Sequence, residues 1–286
     1  MPALCRAGAS GRLRRAWLRA AGPALIVLAL LIALAAPALS GDSLLVESFA
    51  WRDTFLPCGL PSVALRTNET AILWNPAGIA MGNSYSAGYA YTAVYSGEER
   101  KTGTHFVLSN TRGLGFGLTK DDIGEGTKTR VLFAVAPRFS HRISVGWTGK
   151  WRGRFNFDVG AMVRIREHIS LGFVGRDLRD TRDARTYYES GIALLVSPSK
   201  FGLFYDVIVE DNIYRKATAH GGGLYIGFQN QVFFMATLTT DGEGSTYLRF
   251  VLQLFSPGGL LEGSYMESSN DYKSLSGRFS RWSVRR

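Results

Sequence analysis

Cysteine is almost missing from this chain: there are two among 286 residues, Cys5 and Cys58. Cys5 falls in a basic start that reads as removable. Cys58 then stands alone, which excludes an intramolecular disulfide and a cysteine metal site. The four histidines have no metal-ligand spacing. His105 and His220 read as strand-end residues. The stretch "GEGTKT" (124–129) lacks the Gly-Lys dipeptide of a phosphate loop, and no helix pattern follows it. No metal and no cofactor is therefore expected.

Long apolar runs are also scarce. The one candidate, "PALIVLALLIALAA" (23–36), is shorter than the roughly 20 residues of a membrane-spanning helix. Acidic residues are absent ahead of it, where Arg6, Arg12, Arg14, Arg15 and Arg19 sit, and "APALSGDS" follows. That order is the basic region, apolar region and small-residue cleavage site of a secretory signal peptide. Residues 1–40 are expected to be removed, with cleavage after Ala38 or Ser40. The formal net charge is +10, and five of those charges lie in this start, leaving +5. That is too mild a balance to call for nucleic acid.

What the chain does have is alternation. From Asn83 onward the hydrophobic period is two, the period of a strand. Tyr85, Ala87, Tyr89, Tyr91, Ala93 and Tyr95 alternate with Ser84, Ser86, Gly88, Ala90, Thr92 and Val94. Leu114, Phe116 and Leu118 alternate with Gly115, Gly117 and Thr119, and Leu248, Phe250, Leu252 and Leu254 with Arg249, Val251 and Gln253. The segments are longer than ordinary strands of about five or six residues. Their non-apolar face is Gly, Ser and Arg. Aromatic residues gather toward the segment ends. Together these favour a membrane barrel, apolar toward lipid and polar toward the lumen, over a soluble sandwich.

The reading that follows is all-β: a transmembrane antiparallel β-barrel of about fourteen strands, or twelve if "TRG" (111–113) or the Gly153 turn is misread. Tight turns at 111–113, 140–142, 166–168, 197–199, 229–231 and 256–259 alternate with longer polar stretches at 97–103, 121–128, 177–186, 210–218, 241–245 and 267–271, and only the turn near Gly153 breaks the rule. This predicts short connections on the periplasmic side and longer loops outside. Residues 83–286 form the barrel. Residues 41–82 lack alternation and read as a plug inside the lumen. Within them "NPAGIAMG" (75–82) is a short helical turn, capped by Asn75, entered through Pro76 and ended by Gly82.

"TNETAILWNPAGIAMGNSYSAGYAYT" (67–92) resembles the N-terminal signature of FadL-like outer-membrane proteins and of the related PorV/PorQ-like barrels. "FNFDVGAMVRIREHISLGFVGRDLRD" (155–180) is similar to a hairpin of the PorV-like branch. The resemblance implies a 14-stranded barrel with an N-terminal plug. It also implies either diffusion of hydrophobic molecules or service to a protein-export machine. It carries over to Asn75, Pro76, Ala77 and Gly78 as the plug motif, and extends to Asp158 and Gly160. The short loops leave little room for the extended outer groove of the transporter branch.

By alternation the lumen-facing set comprises Arg130, Arg138, Lys150, Arg152, Arg164, Arg166, Arg176 and Arg249, with Asp158, Asp206 and Glu262. One reading is a basic lumen that attracts anionic amphiphiles. The other is a set of Arg–carboxylate pairs that fill a wet interior and hold the plug. His168 and Ser170 share a strand face, a spacing similar to that of outer-membrane lipases. They fall at a short turn without a partner carboxylate, so no catalytic residue and no enzyme is expected.

The chain thus reads as an exported bacterial outer-membrane barrel in contact with lipid. It passes or holds hydrophobic or amphiphilic small molecules. The alternative is a non-transporting barrel that docks with an envelope or secretion protein.

Overall fold

The computed structural model describes residues 62–65, 70–81, 85–96, 99–109, 113–122, 127–151, 155–166, 168–179, 186–197, 201–212, 215–228, 231–240, 245–256, 258–269 and 272–283. The expected signal peptide, residues 41–61, Gly82 and Arg152 lie outside them.

The period of two becomes a physical alternation. In 114–122, Leu114, Phe116 and Leu118 are exposed, whereas Gly115, Gly117 and Thr119 are buried. The same pattern recurs in 246–256 and 259–268. Successive side chains of a strand point to opposite faces, so one face of each strand is outward and the other inward.

Fourteen strands follow one another: β1 (Tyr85–Ser96), β2 (Glu99–Ser109), β3 (Leu114–Asp122), β4 (Thr127–Val135), β5 (Ile143–Trp151), β6 (Phe155–Arg166), β7 (Ile169–Arg176), β8 (Tyr187–Ser197), β9 (Phe201–Asn212), β10 (Arg215–Phe228), β11 (Val232–Thr240), β12 (Thr246–Ser256), β13 (Gly259–Ser268) and β14 (Tyr272–Ser283). Each pairs antiparallel with its neighbours in sequence, and β1 pairs with β14 from Tyr85↔Ser283 to Ser96↔Tyr272. The sheet is therefore a closed barrel without a free edge. Fourteen, not twelve, is the strand number. Leu252, Leu275, Phe133 and Phe279 remain exposed on the outward face. Apolar surface on that scale suits lipid and not water.

The expected contrast in loop length is weaker than the charge pattern suggested. Arg100, Lys101, Thr102 and Gly103 pair with Tyr95, Val94, Ala93 and Thr92 instead of forming a loop. At 210–218, Glu210, Asp211 and Asn212 pair with Ala217, Lys216 and Arg215. Pairing needs only backbone N–H and C=O groups, so a run of charged residues does not by itself end a strand. On the other end, the expected tight turn at 140–142 widens. β4 stops at Val135, β5 starts at Ile143, and Arg138 makes an isolated bridge with Ser144.

Ahead of β1 are two short helices, α1 (Ala71–Trp74) and α2 (Ala77–Met81). The expectation held one helical turn here; α1 is an additional one. Ala71, Ile72, Ile79 and Ala80 pack with Val107, Leu132, Ala134 and Ala136, all buried. Ala64 and Leu65 pack with Ala193, Phe204, Tyr225 and Met235. These contacts fall on the buried face of the strands.

Candidate functional site

The site begins with Pro76. A residue before proline is pushed out of the α region, and Asn75 is extended at φ −143°, ψ 104°. That stops α1 and starts α2. Asn75 Oδ1 accepts from Ala77 N at 3.1 Å, and its backbone O accepts from Gly78 N at 2.8 Å. Pro76 has no N–H to leave unsatisfied at the first helical position. The Asn75 amide also donates to Val63 O at 2.8 Å and to Ala161 O in β6 at 3.1 Å. One buried side chain thus fastens the 62–65 turn, the start of α2 and the barrel wall.

The abrupt end of α1 frees carbonyls that a helix would otherwise satisfy. Arg176, at the end of β7, takes them. Its Nη1 donates to Leu73 O at 2.7 Å and its Nη2 to Trp74 O. A cation at a helix C-terminus is also favoured by the aligned peptide dipoles. Arg176 is 3% exposed and pairs with Glu189 at 3.1 Å and with Asp158 at 3.7 Å. Asp158 is shared with Lys150 at 2.6 Å, and Lys150 reaches Asp177 at 2.7 Å. Asp177 has a left-handed φ of 50°, and its N–H donates to Asp158 Oδ1 at 2.9 Å. Two cations and three carboxylates therefore form one buried chain that ends on α1.

Further polar bonds join the segment to the wall. Ser144 Oγ donates to Ala77 O at 2.8 Å, and Thr148 Oγ1 donates to Ile72 O at 3.3 Å. Ser62 Oγ donates to Asp206 Oδ1 at 3.0 Å. The wall is glycine where the segment comes closest. A Cβ at Gly146 would lie 2.3 Å from the Pro76 carbonyl carbon, and one at Gly172 would lie 2.1 Å from Val63 O.

The remaining expected residues scatter. Arg130 pairs with Asp121 at 2.5 Å, and His105 Nε2 lies 3.8 Å from the same carboxylate. Glu262 accepts from Gln253 at 2.6 Å and from Arg278 at 2.7 Å. Arg249 donates to Met266 Sδ at 3.6 Å. Arg164 is half-buried, and its N–H donates to Arg142 O at 2.7 Å. Arg166 is exposed, because a bulge between Arg164 and Arg166 inverts the alternation. Arg138 is exposed in the turn before β5, where its Nε donates to Ser140 O. His168 Nδ1 donates to Leu195 O at 2.7 Å and ties the β6–β7 turn to β8.

Asp121, Asp177, Glu189, Gln253 and Arg278 were missed. Asp121 and Asp177 lie in charged stretches that read as loops. Glu189, Gln253 and Arg278 carried the right signal, since each alternates with an outward residue. Among the described residues, no group of three or more His, Cys, Asp or Glu is placed to hold a metal ion.

No family model matches the chain, and no curated protein matches it. Solved structures do. The toluene transporter TbuX of Ralstonia pickettii is 11% identical, aligned over 81% of this chain and 97% of its own, with a TM-score of 0.58. The outer membrane protein Omp33 of Acinetobacter baumannii is 7% identical over 70% of this chain and 99% of its own, with a TM-score of 0.48. The likeness is one of fold. The chain is an all-β, closed, 14-stranded antiparallel barrel of the outer-membrane kind.

Proposed function

We propose that this barrel passes or holds hydrophobic or amphiphilic small molecules, with residues 41–82 as a plug that governs the lumen. The observation that carries this reading is the fastening of 70–81 to the inner wall by side-chain hydrogen bonds from Asn75, Ser144, Thr148 and Arg176. The neutral bonds contribute about 1 kcal/mol each and those of the Arg176 guanidinium about 1.5–3 kcal/mol, less than the many strand pairs of a closed barrel, so the segment can shift while those pairs stay closed. Ile72 and Ile79 give the segment an apolar side, packed against Val107 and Leu132. The likeness of fold to the toluene transporter TbuX supports the class of cargo.

In this reading the chain is exported, cleaved near residues 38–40 and inserted in the bacterial outer membrane. The ends nearest 111–113, 229–231 and 256–259 face the periplasm. The lumen-facing charges serve to hold the plug, as the Arg176 chain does, more than to attract anions.

A second reading, a non-transporting docking or shuttle barrel of the PorV/PorQ-like type, is favoured by one feature. Asn75 bonds three separate segments, which suits a plug that stays put. Extraction in mild detergent separates the two. A small hydrophobic molecule retained by the purified barrel and identified by mass spectrometry supports passage. A stoichiometric envelope protein, with no such molecule, supports docking.

A further inference from the structure

One row of the outward face lies along a groove. Across five strands the register joins Arg281 of β14 to Ala87, Ala87 to Leu108, Leu108 to Phe116 and Phe116 to Phe133. Leu108, Phe116 and Phe133 are exposed, as the lipid-facing parity requires. Ala87 is the small member and leaves a depression between Arg281 and Leu108. Tyr85 also lines it. These residues line a groove with a volume of about 560 Å³, the size of a small-ligand cleft.

Arg281 brings a charge to this row. It is exposed on the same face as Phe279 and Leu275, which are 57% and 58% exposed. Among the described residues no carboxylate pairs with it. An arginine on the lipid side of a barrel is costly at mid-depth and tolerated near the headgroups. Arg281 lies two positions from the end of β14 at Ser283, where that level is reached. A guanidinium there matches a phosphate by two parallel hydrogen bonds.

We propose that this groove is a specific phospholipid site. The acyl chain lies along Ala87, Leu108, Phe116 and Phe133, and the Arg281 guanidinium holds the phosphate of an anionic phospholipid such as phosphatidylglycerol. The juxtaposition of one unpaired cation with one apolar furrow selects a lipid over a free anion, which would leave the furrow unfilled. It also selects a lipid over an uncharged hydrocarbon, which would leave Arg281 without a partner. The site is on the outer wall and does not depend on passage through the lumen.

Detergent-purified full-length protein titrated with phosphatidylglycerol, read by native mass spectrometry, tests this. One lipid is expected to remain bound at low lipid ratio. Arg281→Gln weakens that binding about tenfold, the scale of one strong polar contact. Ala87→Phe, which fills the depression and keeps the arginine, weakens it as well. Both variants lie on the lipid face and should keep the mobility change on boiling, so a lost lipid is not a lost fold. Equal retention by wild type and both variants would overturn the site. Retention of lipid A in preference to phosphatidylglycerol, or equal displacement by inorganic phosphate, would overturn the occupant.

Discussion

Asn75 lies directly over Gly160. A Cβ on that glycine would come within 2.2 Å of Asn75 Oδ1, the atom that accepts from Ala77 N. The start of α2 and the absence of a side chain on β6 are therefore one feature.

Gly160→Ala is expected to push Asn75 off the wall. Overpacking of this kind costs about 1–3 kcal/mol, and here the cost falls on the segment, because the β5–β6 and β6–β7 pairs do not use the side chain. Limited proteolysis should cut within 62–81 faster than in wild type, while boiling still shifts the electrophoretic mobility. Wild-type protease resistance in a folded variant would contradict the close approach.

Arg176→Leu removes the partner of Glu189 and the donor to Leu73 O and Trp74 O. Breaking a buried ion pair from one side costs about 3–5 kcal/mol. The denaturation midpoint in detergent should fall sharply. Arg176→Leu with Glu189→Leu should recover part of the loss, since no buried charge is then stranded. If the double variant is no more stable than the single, the pair with Glu189 does not carry the effect.

The barrel was legible because alternation over long segments is a repeated signal, and a lipid-facing row such as Leu114, Phe116 and Leu118 has few other uses. The fastening of the segment to the wall was legible only in part. Asn75 and Pro76 announce a capped turn, but nothing local shows that the Asn75 amide reaches Ala161. Arg176 followed from parity, whereas its bonds to α1 depend on chain packing. α1 itself is four residues, too short for a periodic signal. Arg166 was misplaced because a bulge moves parity by one residue, and a bulge leaves no mark in composition. Asp121 was read into a loop because its neighbours are charged, although Gly103 pairs with it.

Topology can be read by labelling. In a Cys58→Ser background, cysteine at Ser269 should react with an impermeant reagent on whole cells, and cysteine at His141 should not. Both positions are exposed, and they lie at opposite ends of the strands. The reverse pattern would invert the orientation.

The central claim is that the segment fastened at Asn75 governs passage through the lumen. Uptake of a hydrophobic fluorescent probe by cells carrying Asn75→Ala/Pro76→Gly tests it most directly, with ion conductance in a planar bilayer as the second channel of the same measurement. The closed strand pairs should keep the variant inserted and heat-modifiable, and probe uptake or ion leakage should rise above wild type. A correctly inserted variant with unchanged permeability to both probe and ions would contradict the claim and leave the docking barrel as the better account.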